Sequence, residues 1–293
     1  MKIRTFVICG LILMTFPVAA QKKIRNIFYA QNTLDAFDNA PKTSMEKARS
    51  LKSIGYDGLE GFGDQDFMGL KRALEQQGLQ MPVNYVPLNF EDNTKPQNPT
   101  LGEIKTIIKS SPKGSVVYFH LQSKTFLNNK EKGDQEVTSI LRELSDYAAA
   151  FGVKLCAYPH VGFHCETTAH SFQLAELVDR KDYGAAMNLC HMLKVEGSVG
   201  IECKIKQYAP RLFAVNICGA DDGDTQNMDW DHLIQPLGKG SFDTNGFVKT
   251  LINNGYVGPI GLQCYNLKGD AFEVLSKSFQ TWKGYKKRYS EER

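Results

Sequence analysis

Two short runs gather side chains able to hold or move a proton, Tyr158-Pro159-His160 and Asn188-Leu189-Cys190-His191. An imidazole titrates at about 6.5, so His160 and His191 can each give or take a proton at working pH. Glu60, closing Ile54-Gly55-Tyr56-Asp57-Gly58-Leu59-Glu60, adds a carboxylate, and His120, closing Val116-Val117-Tyr118-Phe119-His120, adds a third ring. Asn188, Asn216 and Gln263 supply amides and Tyr158 a phenol, groups that bind hydroxyls without carrying charge. Such a set suits proton transfer next to a carbonyl, with a base, an acid and neutral donors around one oxygen. Each residue also has a plainer reading: the histidines could tie down loop backbone, and Glu60 could pair with a neighbouring loop. The run Cys156-x3-His160-x3-His164-Cys165 has the composition of a zinc site but no Cys-x2-Cys anchor. His164 and His170 read as structural or solvated, Glu166 as a weaker acid–base candidate, and Lys239 as part of a turn. Phe28, Tyr29, Tyr85, Phe90 and Trp230 could stack on a ligand ring or pack core and rim.

The elements that must position these residues alternate. Strand-like runs fall at 24–30, 58–62, 81–86, 115–121, 153–158, 184–189, 212–217 and 259–264. Helical runs follow at 44–54 (capped by Thr43 or Ser44), from Asp64 to about 77, from about 100, and at 132–151, 168–178, 200–208, 244–253 and 270–285. Strand–helix alternation implies parallel pairing with right-handed crossovers. Eight units in one domain-sized chain predict an α/β fold, a single eight-stranded parallel (β/α)8 TIM barrel over residues 22–293. A doubly wound open sheet is the rival, but no Gly-x-Gly-x-x-Gly turn follows the first strand. In such barrels chemistry sits at the C-terminal strand ends, where Glu60, His120, Tyr158, Asn188, Asn216 and Gln263 fall.

Lys2 and Arg4, an apolar stretch to Pro17, and Val18-Ala19-Ala20 are the three parts of a signal peptide, residues 1–20, cleaved after Ala20. The apolar stretch is too short for a membrane span, and Phe6-Val7-Ile8 before Cys9 is not a lipidation context. The expected location is therefore periplasmic or secreted, with no membrane partner after cleavage. The chain holds 35 basic and 32 acidic residues, and two of the basic ones lie in the leader. A near-neutral chain offers no footprint for nucleic acid. The six cysteines beyond the leader are sparse and several sit in apolar runs, which reads as buried free thiols rather than a disulfide framework.

The motif ending in Glu60 resembles the second strand of the xylose isomerase-like, sugar phosphate isomerase/epimerase superfamily. The loop from Trp230 through Pro236-Leu237-Gly238-Lys239-Gly240-Ser241-Phe242-Asp243 resembles its loop before the seventh helix, and 256–263 its last strand. The resemblance runs in order over nearly the whole chain after the leader. It implies a divalent metal held by Glu, Asp, His and Glu at strand ends five to eight. Those positions here are Tyr158, Asn188, Asn216 and Gln263, which lack the charge a hard cation needs. Asn188-x-x-His191 keeps the spacing in which the family's His meets substrate. Tyr-Pro-His together with Asn-Leu-Cys-His resembles a divergent branch found in environmental and gut bacteria.

The expectation is an exported isomerase-, epimerase- or lyase-type enzyme acting on a neutral sugar or keto-sugar without metal or other cofactor. Its catalytic residues would be His160, His191 and Glu60; its substrate-binding residues Tyr158, Asn188, Asn216, Gln263 and His120. A divalent metal, and a catalytically silent sugar-binding barrel, are the alternatives.

Overall fold

The computed structural model describes residues 23–62, 66–91 and 95–291; the signal peptide expected at 1–20 and the expected cap Asp64 lie outside them. The strands are β1 (Phe28–Ala30), β2 (Gly58–Leu59), β3 (Gly61–Phe62), β4 (Val83–Asn89), β5 (Val116–Gln122), β6 (Lys154–Ala157), β7 (Tyr183–Asn188), β8 (Leu212–Ile217) and β9 (Ile260–Leu262). All pair in parallel, in the order β2-β1-β9-β8-β7-β6-β5-β4-β3. β2 and β3 are two halves of one stave, separated only by Glu60. β2 pairs with β1 at Tyr29↔Gly58, and β3 pairs with β4 at Gly61↔Asn84. The Glu60 amide donates to Ala30 O at 2.9 Å and the Leu59 amide to Gln80 O at 3.1 Å. Nine strand segments thus make a nearly closed barrel of eight staves, the (β/α)8 plan with its second stave interrupted at Glu60.

Helices α1 (Ser44–Ile54), α2 (Phe67–Gln76), α3 (Leu101–Ser110), α4 (Lys130–Ala149), α5 (Thr168–Val178), α6 (Leu189–Glu196), α7 (Ile201–Tyr208), α8 (Trp230–Leu233), α9 (Thr244–Asn253) and α10 (Ala271–Glu291) complete the described chain. Thr43 starts α1 through a capping box with Glu46, and Thr100 starts α3 the same way with Glu103. Asp66, not Asp64, caps α2, accepting from the Gly69 amide at 3.1 Å. α6 departs most from the sequence reading: β7 stops at Asn188 and the chain turns directly into a helix. Leu189, Cys190, Met192 and Leu193 are all buried along it, an apolar run equally compatible with a strand end.

Tyr29, Val83, Val116, Tyr118, Cys156, Tyr158, Ala186 and Ala214 form the core inside the barrel, separate from the core between strands and helices. Gly261 makes this possible, since a Cβ there would lie 2.4 Å from Tyr29 Cζ. Outside the barrel, Trp282 of α10 stacks on Phe28 of β1 at 4.4 Å and 11°. Trp282→Ala is expected to destabilise the fold by about 3–5 kcal/mol, read from the midpoint of denaturant unfolding. The six cysteines of the described chain are free, and of them Cys203 alone is exposed.

Candidate active site

The C-terminal strand ends open onto a cavity of about 460 Å³, into which Gln31, Glu60, Tyr158, His160, His191 and Gln263 project. Phe62, Tyr85 and Trp230 supply its aromatic walls. Tyr158 follows β6, its amide donating to Phe119 O at 2.7 Å. His160 sits on a tight turn closed by its own amide on Cys165 O at 3.0 Å, with its ring stacked on Phe163 at 4.1 Å and 16°. His191 lies in the first turn of α6, with its ring 4.0 Å from that of His160 and edge-on to Trp230 at 5.3 Å.

Burial pushes His160 below the ordinary imidazole range. It pushes His191 well below that range, and the neighbouring His160 adds to the effect. The positive end of the α6 dipole acts in the same direction. Both rings are therefore neutral near pH 7. Glu60 moves the other way: burial raises its carboxyl to about 8, despite donation from the Asn32 amide at 3.3 Å and from Gln31. It keeps its proton at neutral pH. In an eight-stave barrel, the β2/β3 stave bearing Glu60 stands four places from β7, the stave leading into His191. A protonated carboxyl thus faces a pair of neutral imidazoles across the cavity.

Beneath them lies a floor of phenols and amides. The Tyr118 hydroxyl donates to Glu60 Oε1 and receives Gln31 Nε2 at 3.3 Å and Asn216 Nδ2 at 3.4 Å. The Tyr29 hydroxyl donates to Asn216 Oδ1 at 3.0 Å, and Asn188 Nδ2 donates to the Tyr158 hydroxyl. Cys190 Sγ approaches Asn188 Oδ1 at 3.2 Å. Burial holds the Tyr29 and Tyr158 phenols well above their ordinary range, so they stay neutral. The set Tyr158, Asn188, Asn216 and Gln263 does not fit a divalent cation: it carries no charge, and its two Asn amides are already committed to phenols. Gln31 Oε1 is buried with no partner among the described residues, which leaves an acceptor for a ligand hydroxyl.

Of the residues singled out in the sequence, Tyr158, His160, His191, Glu60 and Gln263 meet at this cavity. Asn188 and Asn216 sit one layer lower, holding the phenols. His120 does not line it; the ring packs behind Tyr85 at 4.4 Å and Phe163 at 5.2 Å and faces a separate cavity with Pro87 and Asn89. Burial lowers His120 to about 3. Phe28 and Phe90 are core residues, whereas Tyr85 and Trp230 reach the cavity. Sequence reasoning missed Tyr118, although it lies two residues before His120 on the inward face of one strand. It also missed Val161, which acts through its backbone and leaves no side-chain signal.

The zinc-like run does not converge. Cys156 lies in the barrel interior and Cys165 in the outer core, while His160 faces the cavity. His164 turns instead to Asp134 of α4, where His164 Nε2 and His170 Nε2 each lie 2.8 Å from Asp134 Oδ1. One carboxylate and two imidazoles, all buried, could hold a cation, and this weighs against a chain that binds no metal. Burial would raise Asp134, but hydrogen bonds from the two histidines outweigh it and hold the carboxyl at about 2. The cluster anchors the turn that carries His160, together with Lys130 Nζ, which reaches His164 O at 3.2 Å. Asp134→Ala is expected to lower stability by about 1.5–3 kcal/mol, the range for a hydrogen bond to a charged group, measured by thermal or urea unfolding.

A parallel barrel with polar side chains gathered at its C-terminal mouth is the architecture of the TIM-barrel enzymes. Within that architecture the chain belongs to the xylose isomerase-like TIM barrel family, whose profile matches residues 48–283. Solved structures of similar fold include 3-keto-D-glucoside 4-epimerase, YcjR, from E. coli, with 18% identity, a TM-score of 0.69, and 89% of this chain and 100% of that one covered. D-psicose 3-epimerase from Clostridium cellulolyticum H10 has 13% identity and a TM-score of 0.67, covering 90% of this chain and 99% of that one. The IolI protein with a bound zinc atom has 17% identity and a TM-score of 0.69, covering 89% of this chain and 98% of that one. No curated protein matches the chain by sequence.

Proposed function

We propose that the chain is a carbohydrate-active enzyme of the isomerase, epimerase or lyase kind that moves a proton next to the carbonyl of a neutral sugar or keto-sugar. The observation that carries this reading is the neutral His160–His191 pair facing the protonated Glu60 across one aromatic-walled cavity. One imidazole removes the proton, the other holds the carbonyl oxygen, and Glu60 returns a proton from the opposite side, the arrangement an epimerase needs. Tyr85 and Trp230 offer faces for a sugar ring, and Gln31 Oε1 an acceptor for a hydroxyl. With every side chain around the cavity neutral at pH 7, an uncharged substrate fits better than a sugar phosphate. The fold's likeness to a 3-keto-glucoside epimerase and a psicose epimerase supports a carbohydrate substrate. The leader at 1–20 supports a periplasmic or secreted setting, and the near-neutral charge argues against nucleic acid.

In this reading the barrel mouth works without the divalent metal that the family resemblance implies, and any cation at Asp134, His164 and His170 is structural. The test is to incubate the purified protein with a panel of sugars and 3-keto-glycosides in D2O and follow exchange by NMR. Exchange at a carbon beside a carbonyl is expected, persisting after dialysis against a chelator. Loss of exchange on chelation would return the metal to the mechanism. Saturable binding without exchange across the panel would replace the enzyme by a silent sugar-binding barrel.

A further inference from the structure

We infer that the backbone N–H and C=O of Val161 fix opposite tautomers on His160 and His191, making His160 Nε2 the proton acceptor and His191 Nε2–H the donor to the substrate oxygen. The assignment rests on the proton-transfer reading above but follows from two backbone contacts. His160 Nδ1 lies 2.7 Å from Val161 O. A carbonyl oxygen can only accept, so Nδ1 carries the hydrogen and the Nε2 of a neutral ring keeps its lone pair. The Val161 amide lies 3.4 Å from His191 Nδ1. An amide can only donate, so that nitrogen is bare and the hydrogen of neutral His191 sits on Nε2. Reversing the roles would set a ring N–H against the Val161 N–H on one side and a lone pair against its carbonyl on the other.

One residue between the two rings thus makes two identical side chains unlike. The turn that presents it is held from several sides: His160 N–H to Cys165 O at 3.0 Å, Phe163 N–H to His160 O at 3.1 Å, and His164 N–H to Leu121 O at 2.9 Å. In the reaction the substrate C–H bond breaks and its proton passes to His160 Nε2. The C–H electron pair becomes a carbon–carbon double bond while the carbonyl π pair moves onto oxygen. That oxygen is held by the His191 Nε2–H, which stays on its ring. Return of a proton to carbon reverses the flow of electrons, so the step needs no oxidant or reductant.

The tautomers are read directly from two-bond 1H–15N correlations of protein labelled with 15N-histidine, with the two rings assigned by His160→Gln and His191→Gln. The Nδ1–H pattern is expected for His160 and the Nε2–H pattern for His191; one tautomer shared by both rings overturns the inference. This readout stands even if no sugar in the panel exchanges, an outcome that would sink the functional reading alone. Where exchange is seen, His191→Gln keeps an N–H near the Nε2 position. Its rate is expected to fall by less than about 10²-fold, the loss for one oxyanion donor removed outright. His160→Gln cannot take a proton, and its exchange is expected to slow by about 10²–10⁴-fold, the usual contribution of a positioned general base. The opposite ranking of two folded variants would reverse the roles and refute the assignment.

Discussion

His160→Ala is expected to slow proton exchange at the carbon beside the substrate carbonyl by about 10²–10⁴-fold, the usual contribution of a positioned general base. The argument is geometric first. His160 is the imidazole whose free nitrogen is turned away from the Val161 carbonyl, and its ring is pinned between Phe163 and His191. The turn that presents it is held by backbone hydrogen bonds the side chain does not make. The fold should therefore survive the substitution, and circular dichroism with a thermal scan will show it. The pH profile follows from the same groups. Burial keeps His160 below its ordinary range, so the acidic limb should fall below about 6.5. A basic limb near pH 8 should appear for inversion at that carbon, where Glu60 loses the proton it must donate. A His160→Ala protein that folds and exchanges at the wild-type rate would remove His160 from the mechanism.

The sequence made the barrel legible because strand and helix periodicities alternate without interruption from β1 to α10. The boundaries of α1, α5, α9 and β8 coincide with the sequence reading because capping residues and glycine or polar breaks mark them. α6 was not legible, since Leu189, Cys190, Met192 and Leu193 carry no periodicity that separates a strand end from a buried helix. The same ambiguity hid the fact that His191 sits on a helix N-terminus rather than in a loop. Strand-end position singled out Glu60, Tyr158, His160, His191 and Gln263, and all five line one cavity. It could not rank depth, so Asn188 and Asn216 turned out to support phenols, and His120 to pack behind Tyr85. Asp134 gave no signal at all: its partners come from a loop and from α5, 30 and 36 residues away. Pairing across that distance is a property of how α4 and α5 pack, not of any local pattern.

Glu60→Gln should flatten the pH dependence of stability between about pH 4.5 and 8. Burial raises this carboxyl from 4.5 to about 8, so between those values the unfolded chain has released a proton that the folded chain still holds. Unfolding then releases a proton, and stability must fall as pH rises. The contribution is fully present below the unfolded pKa and is lost as pH climbs through the folded one. At about 1.4 kcal/mol per pH unit, the loss over this window is on the order of several kcal/mol. Gln keeps the shape and one acceptor oxygen, enough for either the Tyr118 hydroxyl or the Asn32 amide, and it has no proton to lose. The variant should therefore match wild type near pH 5 and exceed it at pH 8 in urea unfolding at fixed ionic strength. The same change separates the two faces of the reaction. His160 can still take the substrate proton and return it to the face it came from, so exchange with deuterium should persist. Inversion at that carbon should not, because the donor on the far side of the cavity is gone. Parallel stability curves for variant and wild type would mean that Glu60 is ionised in the fold, and unaltered inversion would mean that another group delivers the second proton.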